Sequence, residues 1–449
     1  MLTTLPPTTY PLTLSRSRLL RYFVFFYLYV MQGIPAGFSL TALTNYLAAE
    51  GIKPKVIGSF AAIAGLPWAF QFIWGPLIDR YQNSAMGRRK PWVIGTQCLA
   101  GLASLGLLFV QDPAKHVITL AWFFFTHSVF AAIQDASVDA MAISVIPEDE
   151  RGRVNAFMRA GFLIGTGVGA AVFSQLLRTY GFFNAALVQS LLLLALTALT
   201  FFIRERPDDQ LLPSVKRQPL APRSVSTDGP LERPEHDFRW LFTELFKGLF
   251  ARRSLLLFGS VVAAYVSISL FMRGYNYHLI HTLGWTDTSV SGLTGTYGML
   301  VATAVALAGG YVADRISPRL LLVIVLAMVA VYLLVFNSLS AQWVQREVAQ
   351  TGLVALYFMD PSISIAAMPV LMAICRPGVE GSQFTTYMAF INLCDIAGSY
   401  LAGHAQEYVS VPTIGLFAGG LAVVAMLTAL FTIRHYRTVD QAHDSVATH

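Results

Sequence analysis

The sequence predicts an all-α membrane protein of twelve transmembrane helices in two six-helix bundles. Three observations predict it. Of 449 residues, 55% are hydrophobic and 12% charged, with mean hydropathy +0.57, whereas soluble domains carry about 25% charged residues. The apolar residues fall into repeated blocks of about 20, the length that crosses roughly 30 Å of hydrocarbon. Lysine and arginine collect in alternate connections between those blocks. The net charge of +6 and pI near 9.2 do not point to nucleic acid, because the charges lie between blocks and not along one helical face. Cys98, Cys375 and Cys394 lie in or beside apolar blocks without CxxC spacing. They imply no disulfide frame, metal site or cofactor.

Residues 1–20 are expected as an N-terminal cytoplasmic tail, opening with an uncharged Pro/Thr-rich stretch. The first apolar block is too long for a cleaved signal and is followed by many others, so it is expected to be retained. The N-terminal bundle, 21–203, has predicted spans at 21–45, 57–78, 92–111, 117–146, 154–177 and 182–203. A polar stretch at 204–253 follows. Its first part is a Pro/Ser-rich linker, and 238–253 has the pattern of an amphipathic helix lying on the inner leaflet. The C-terminal bundle, 254–433, has spans at 254–279, 289–313, 320–340, 351–375, 382–404 and 412–433, and 434–449 is expected as a cytoplasmic tail. With the N-terminus inside, the inside segments carry 24 basic residues. The outside segments carry 5, namely Lys53, Lys55, Lys115, Arg178 and Arg346. Positive-inside asymmetry therefore puts both termini in the cytoplasm.

The halves echo each other. After span 2 the chain reads Gly75-Pro-Leu-Ile-Asp79-Arg80 with Arg88 and Arg89 downstream. After span 8 it reads Gly310-Tyr-Val-Ala-Asp314-Arg315. Each G-x-x-x-D-R resembles the signature loop of the major facilitator superfamily, and the pair sits at matching ends of a six-plus-six array. In that family the glycine allows close helix contact, the aspartate faces a helix N-terminus and the arginines anchor to the inner surface. These residues are expected to gate conformational change.

Further blocks resemble the peptide–acetyl-coenzyme A transporter family, which includes muropeptide permeases, acetyl-coenzyme A transporters and siderophore importers. They are Gln32-Gly-Ile-Pro35-Ala-Gly37 in span 1 and Gln71-Phe-Ile-Trp-Gly-Pro-Leu-Ile-Asp79 with Gly87-Arg-Arg-Lys90-Pro-Trp92 around the first loop. In span 4 the block is Ala132-Ile-Gln134-Asp135-Ala-Ser-Val-Asp139, followed by Pro147-Glu-Asp-Glu-Arg151-Gly152, and Gly381-Ser-Gln-Phe-Thr-Thr-Tyr-Met388 is a looser match. Gln71 stands where many members have lysine. The likeness is best over 20–160 and thin in the C-terminal half. It implies transport of a small molecule, proton-driven in bacterial members.

Ionisable groups at membrane depth cost at least ~2.5–3.5 kcal/mol, so each needs a partner, a wet cavity or a proton. Asp135 and Asp139 share one face of span 4, with Gln134 about 100° round. Asp135 lies roughly 18 Å before Pro147 at 1.5 Å per residue, near mid-membrane. Like charges so placed resist simultaneous ionisation, which makes the pair a candidate proton-coupling site. Asp139 also admits a structural reading, as an interhelical partner of an arginine. His127, seven residues before Gln134, is either a relay or a packing residue. Arg159 in span 5 is the natural partner of the acids. Asp395 in span 11 occupies the equivalent place in the second half, and both sites stay open between gating charge and plain salt bridge. Asp360-Pro361 joins a carboxylate to a helix break that could line a cavity. Arg273, with Tyr275, Tyr277 and His278, reads as an outer-mouth contact or as interfacial snorkelling. Gln32, Gln134, Arg159, Asp360, Asp395 and Arg273 are the substrate-cavity candidates. Gly161, Gly165 and Gly169 form a small-residue stripe for helix packing.

These features point to a secondary active transporter in the inner (cytoplasmic) membrane. It is expected to be a monomeric, proton-coupled importer of a polar small molecule such as a muropeptide. A siderophore, a coenzyme A-type metabolite and a transport-dead sensor are the alternatives. An enzyme is not expected, since HxxxxD, HExxH, GxSxG, P-loop and Cys–His cluster patterns are lacking.

Overall fold

The computed structural model describes residues 13–74, 77–78, 84–147, 150–212, 238–313, 315–376 and 379–447. Gly75, Asp79, Arg80 and Asp314 of the paired loops lie outside the described residues. The described chain is helical throughout, as hydrocarbon requires when every backbone N–H and C=O must find an internal partner.

Span 1 is Arg18–Ala49. Ser17 caps its start by accepting from the Leu20 N–H at 3.3 Å. Pro35 supplies no N–H, and the helix widens into a π segment at Phe38–Leu43. Span 2 runs Pro54–Ala69 and tightens into a 3₁₀ turn at Gln71–Ile73. Span 3 is Lys90–Phe109 and span 4 Val117–Val145. Arg151–Phe201 is one helical run broken at Gly181, whose φ of 81° suits only glycine. Spans 5 and 6 are therefore 151–180 and 182–201. A separate helix, Phe238–Phe250, exposes Phe246 and Phe250. Its Glu244 bonds Lys247 and Arg376, each at 2.8 Å, which fixes it to the C-terminal half.

Span 7 is Arg252–His281, and span 8 covers 287–313 with a second π segment at Thr294–Gly298. Spans 9, 10 and 11 are Pro318–Ser338, Arg346–Ala373 and Glu380–Ala405. Span 12, Val411–Ala447, continues as helix past the expected end at 433, since nothing in that stretch breaks it. Among the described residues, ten stretches are long and apolar enough to cross a membrane by length and composition. One of them holds both spans 5 and 6. Span 11, with Asp395 and His404, falls short only because it is polar.

Each half has its own apolar core, and the halves meet where spans 2 and 11, and spans 5 and 8, pack together. At the face opposite the termini the approach is close. A Cβ on Gly58 would lie 2.6 Å from the Ser399 carbonyl oxygen, and one on Gly167 would lie 2.6 Å from that of Gly295. Asn45 donates to Ser291 at 2.9 Å, Lys55 pairs with Glu407 at 3.6 Å, and Arg178 pairs with Asp287 at 2.9 Å. We call this sealed face the distal seam. Gly161, Gly165 and Gly169 pack against span 1 at Phe26, Val30 and Ile34.

At the other face Glu205 caps span 3. It accepts from the backbone N–H of Arg88 (3.2 Å), Arg89 (2.8 Å) and Lys90 (2.5 Å). Burial pushes its carboxyl above the ordinary range against the pull of those N–H groups. Arg21 and Glu150, both buried, pair at 2.7 Å and tie span 1 to the turn before span 5.

Candidate functional site

Span 4 presents Asp135 and Asp139 one turn apart toward spans 1 and 2. The Tyr29 hydroxyl donates to Asp139, and the Gln71 side-chain amide donates to Asp135. Gln32, one turn from Tyr29, is buried and turns its side-chain amide toward Asp135. The side-chain bonds to these two acids thus come from neutral donors. Gln71 occupies the place where the resembling pattern has lysine, so the feature that looked like a departure supplies the direct contact. Gln134 is buried on the adjoining face with its Nε2 unbonded.

His127 is elsewhere. Its Nδ1 lies 2.9 Å from Ser104 Oγ and 3.0 Å from the Ala100 carbonyl oxygen, so span 3 holds it two turns from Asp135. Arg159 does not pair with the span 4 acids. It is exposed, has no ion pair among the described residues, and stands within electrostatic reach of Asp360 in the other half.

The C-terminal half contributes a charge cluster of a different kind. Asp395 Oδ1 accepts from Ser269 Oγ at 2.7 Å, and Oδ2 accepts from Arg273 Nη2 at 3.4 Å. Its side chain is 50% exposed, against 20% for Arg273. Arg273 points inward and not to the membrane interface: its Nη1 donates to the Leu40 carbonyl oxygen at 2.6 Å, across to span 1. Leu40 lies in the π segment, whose altered register frees carbonyls for such outside donors. In the second π segment, Thr294 accepts from the Tyr357 hydroxyl at 3.0 Å. Asp360 stands among Arg159, Asp395 and Arg273. A small cleft sits at the distal seam beyond it, lined by Asn45, Ala48, Gly58, Arg273, Asn276 and Ser399 among others.

The structure therefore brings Asp135, Asp139 and Gln32 together within the N-terminal half, and Asp360, Asp395 and Arg273 together in the C-terminal half, with Arg159 of span 5 reaching the second group from the N-terminal side. The first carries acids without cations, the second both signs. Of the paired loops, Arg88 and Arg89 frame the capped start of span 3, Gly310 lies in the last turn of span 8, and Arg315 is exposed. Tyr29, Ser269 and Glu205 were not singled out from the sequence. Tyr29, three residues before Gln32 on the same face of span 1, was the one with a readable signal.

The pattern of the Major Facilitator Superfamily matches residues 22–344. An anhydromuropeptide permease of Escherichia coli (strain K12) is 24% identical over 91% of this chain and 79% of its own length. A putative transporter, AmpG 4 of Rickettsia conorii, is 21% identical over 93% of this chain and 97% of its own. The crystal structure of a point mutant of the nucleoside transporter NupG superposes with a TM-score of 0.65 at 12% identity, covering 92% of this chain and 99% of that one.

Proposed function

The chain belongs to the Major Facilitator Superfamily, and from that premise we propose that it is a monomeric, proton-coupled importer of a polar small molecule. The solute passes between the two halves by alternating access. The carrying observation is the Asp135–Asp139 pair on the face of span 4 that meets spans 1 and 2, where Tyr29 and Gln71 donate to it. Two carboxylates one turn apart in a poorly polarisable medium, with neutral donors only, form a place to bind and release a proton. The mixed cluster of Arg159, Asp360, Asp395 and Arg273 opposite it supplies the groups that orient a polar solute.

Orientation follows the basic residues: both termini inside, the distal seam outside, the protein seated in the cytoplasmic membrane. The state described then has its outer face sealed by Arg178–Asp287 and Lys55–Glu407. The exposed Arg159 and half-exposed Asp395 face the route to the cytoplasm. The first candidate solute is an anhydromuropeptide, by likeness to the E. coli relative. A siderophore or a coenzyme A-type metabolite is the second.

The test is uptake of labelled anhydromuropeptide into proteoliposomes with and without an imposed pH gradient, for the native chain and Asp135→Asn. Gradient-driven accumulation by the native chain and its loss in the variant support the reading. Equal accumulation by both would remove the acid pair from coupling.

A further inference from the structure

Arg273 reaches from the central charge cluster into the backbone of the opposite half, toward the distal seam. Its two terminal nitrogens face different ways. Nη2 holds the half-exposed Asp395 at 3.4 Å, while Nη1 holds the Leu40 carbonyl at 2.6 Å, and Nε is buried without a hydrogen-bond partner among the described residues. Leu40 begins a continuous path to the seam. Thr44, also bonded to the Leu40 carbonyl at 3.0 Å, ends the π segment. Asn45 donates across to Ser291, and Ala48 is 3% exposed inside the core of the C-terminal half. Tyr46 lies under the Arg178 guanidinium, 4.5 Å from ring centre, and Glu50 bonds it at 2.8 Å.

We propose that Arg273 is a positioning residue that couples the charge on Asp395 to closure of the distal seam, through the π segment of span 1. The reading rests on the alternating-access function proposed above. With Asp395 ionised, Arg273 is balanced, and its second nitrogen pins span 1 against span 7. When Asp395 loses its charge to a proton or to a cationic group of the solute, the guanidinium loses its bonded counter-charge and keeps the Leu40 carbonyl, with Asp360 farther off. A mostly buried cation that loses its bonded counter-charge is destabilised. Separating spans 1 and 7 lets water reach it, so neutral Asp395 favours an open seam. Asp360 on span 10 also stands near Asp395 and Arg273, and near Arg159 of span 5. The π segment suits the role, because its bonds are readily exchanged between i→i+4 and i→i+5 partners.

The experiment uses the full chain in nanodiscs, with Cys98, Cys375 and Cys394 replaced by alanine, and two single-cysteine reporters. Ala48→Cys reports the seam, and Asn155→Cys, exposed one turn from Arg159 on the same face, reports the opposite opening. Labelling by a membrane-impermeant maleimide is followed in Asp395→Asn, Arg273→Gln and Arg273→Lys. The expected result is a severalfold rise at position 48 with a matching fall at 155 in Asp395→Asn and Arg273→Gln, and a smaller change in Arg273→Lys. A merely loosened protein would raise both, and that outcome would overturn the proposal. Arg178→Gln serves as the control for the seam itself. A rise at 48 in that variant but none in Asp395→Asn would sink the coupling and leave alternating access standing. No change in either would sink both.

Discussion

Arg178, at the end of span 5, donates from Nε to both carboxylate oxygens of Asp287 at the start of span 8, each at 2.9 Å. One guanidinium thus joins the halves at the distal seam, and its Nη1 adds Glu50 at 2.8 Å. The Asp287 side chain is 5% exposed, so removing its cation strands a buried carboxylate, while the 34% exposure of Arg178 weakens the pair by solvent screening. We expect Arg178→Gln to shift the seam toward opening by about 1–2 kcal/mol, roughly tenfold in population. Spin-label distances between the distal ends of spans 5 and 8 measure this. The charge exchange Arg178→Asp with Asp287→Arg should bring the short distance back, and a distance distribution identical in Arg178→Gln and the native chain would end the assignment.

Gln71 offers a direct test of the acid pair. Its amide is a neutral donor to Asp135, and lysine at that position would place an ammonium beside the carboxylate. An opposite charge within bonding distance favours the ionised form by about 1–3 pK units. Gln71→Lys is therefore expected to hold Asp135 charged and abolish gradient-driven accumulation, while solute exchange across the membrane continues. Adding Asp135→Asn to the same chain removes the ion pair without restoring coupling. Accumulation at native rates in Gln71→Lys would show that Asp135 does not need to change charge.

Much of this was legible in the chain, for a plain reason. Crossing hydrocarbon forces apolar blocks of fixed length, and the helices fall within a few residues of those blocks except span 12, which runs on to Ala447. The acid pair was legible because i, i+4 spacing puts Asp135 and Asp139 on one face. What the sequence does not carry is which side chain of another span fills a gap. Arg159 reads as the partner of the span 4 acids by proximity along the chain, yet span 5 turns it toward Asp360. Arg273 sits among aromatics near a span end, the pattern of an interfacial arginine, but a π segment frees a carbonyl that draws it inward. Glu205 lies in a polar linker and gives no hint that it caps a helix more than a hundred positions earlier.

That cap sets a stability prediction outside the membrane. Glu205→Ala leaves three N–H groups at the start of span 3 unbonded and is expected to cost about 0.5–2 kcal/mol, typical of losing an N-cap. Glu205→Gln keeps an acceptor and should cost less. Because burial raises the Glu205 carboxyl above its usual 4.5, the folded protein binds this proton more tightly than the unfolded chain does. Stability from this group is then greatest at low pH and falls as pH rises from about 4.5 through the raised value. Thermal melts in detergent across that window should show the slope in the native chain and a flatter profile in Glu205→Gln. Equal slopes would place the titration elsewhere.

The last prediction concerns two glycines that bring spans 2 and 11 together. A Cβ on Gly58 would stand 2.6 Å from the Ser399 carbonyl oxygen, and one on Gly403 would stand 2.5 Å from that of Pro54. Both obstacles are backbone, so no side chain can swing aside to make room. Small residues at such a crossing let helices touch at the main chain, and a single methyl must push the spans apart. Gly58→Ala should therefore hinder closure of the distal seam and slow net uptake at least tenfold, with the open seam trapping the carrier in one state. Gly259 in span 7 has no neighbour within 4 Å of its would-be Cβ. Gly259→Ala accordingly serves as the matched control, with uptake unchanged and helix propensity somewhat improved. Initial uptake rates at equal surface expression decide the matter: if Gly58→Ala transports like Gly259→Ala, the seam does not have to close for turnover.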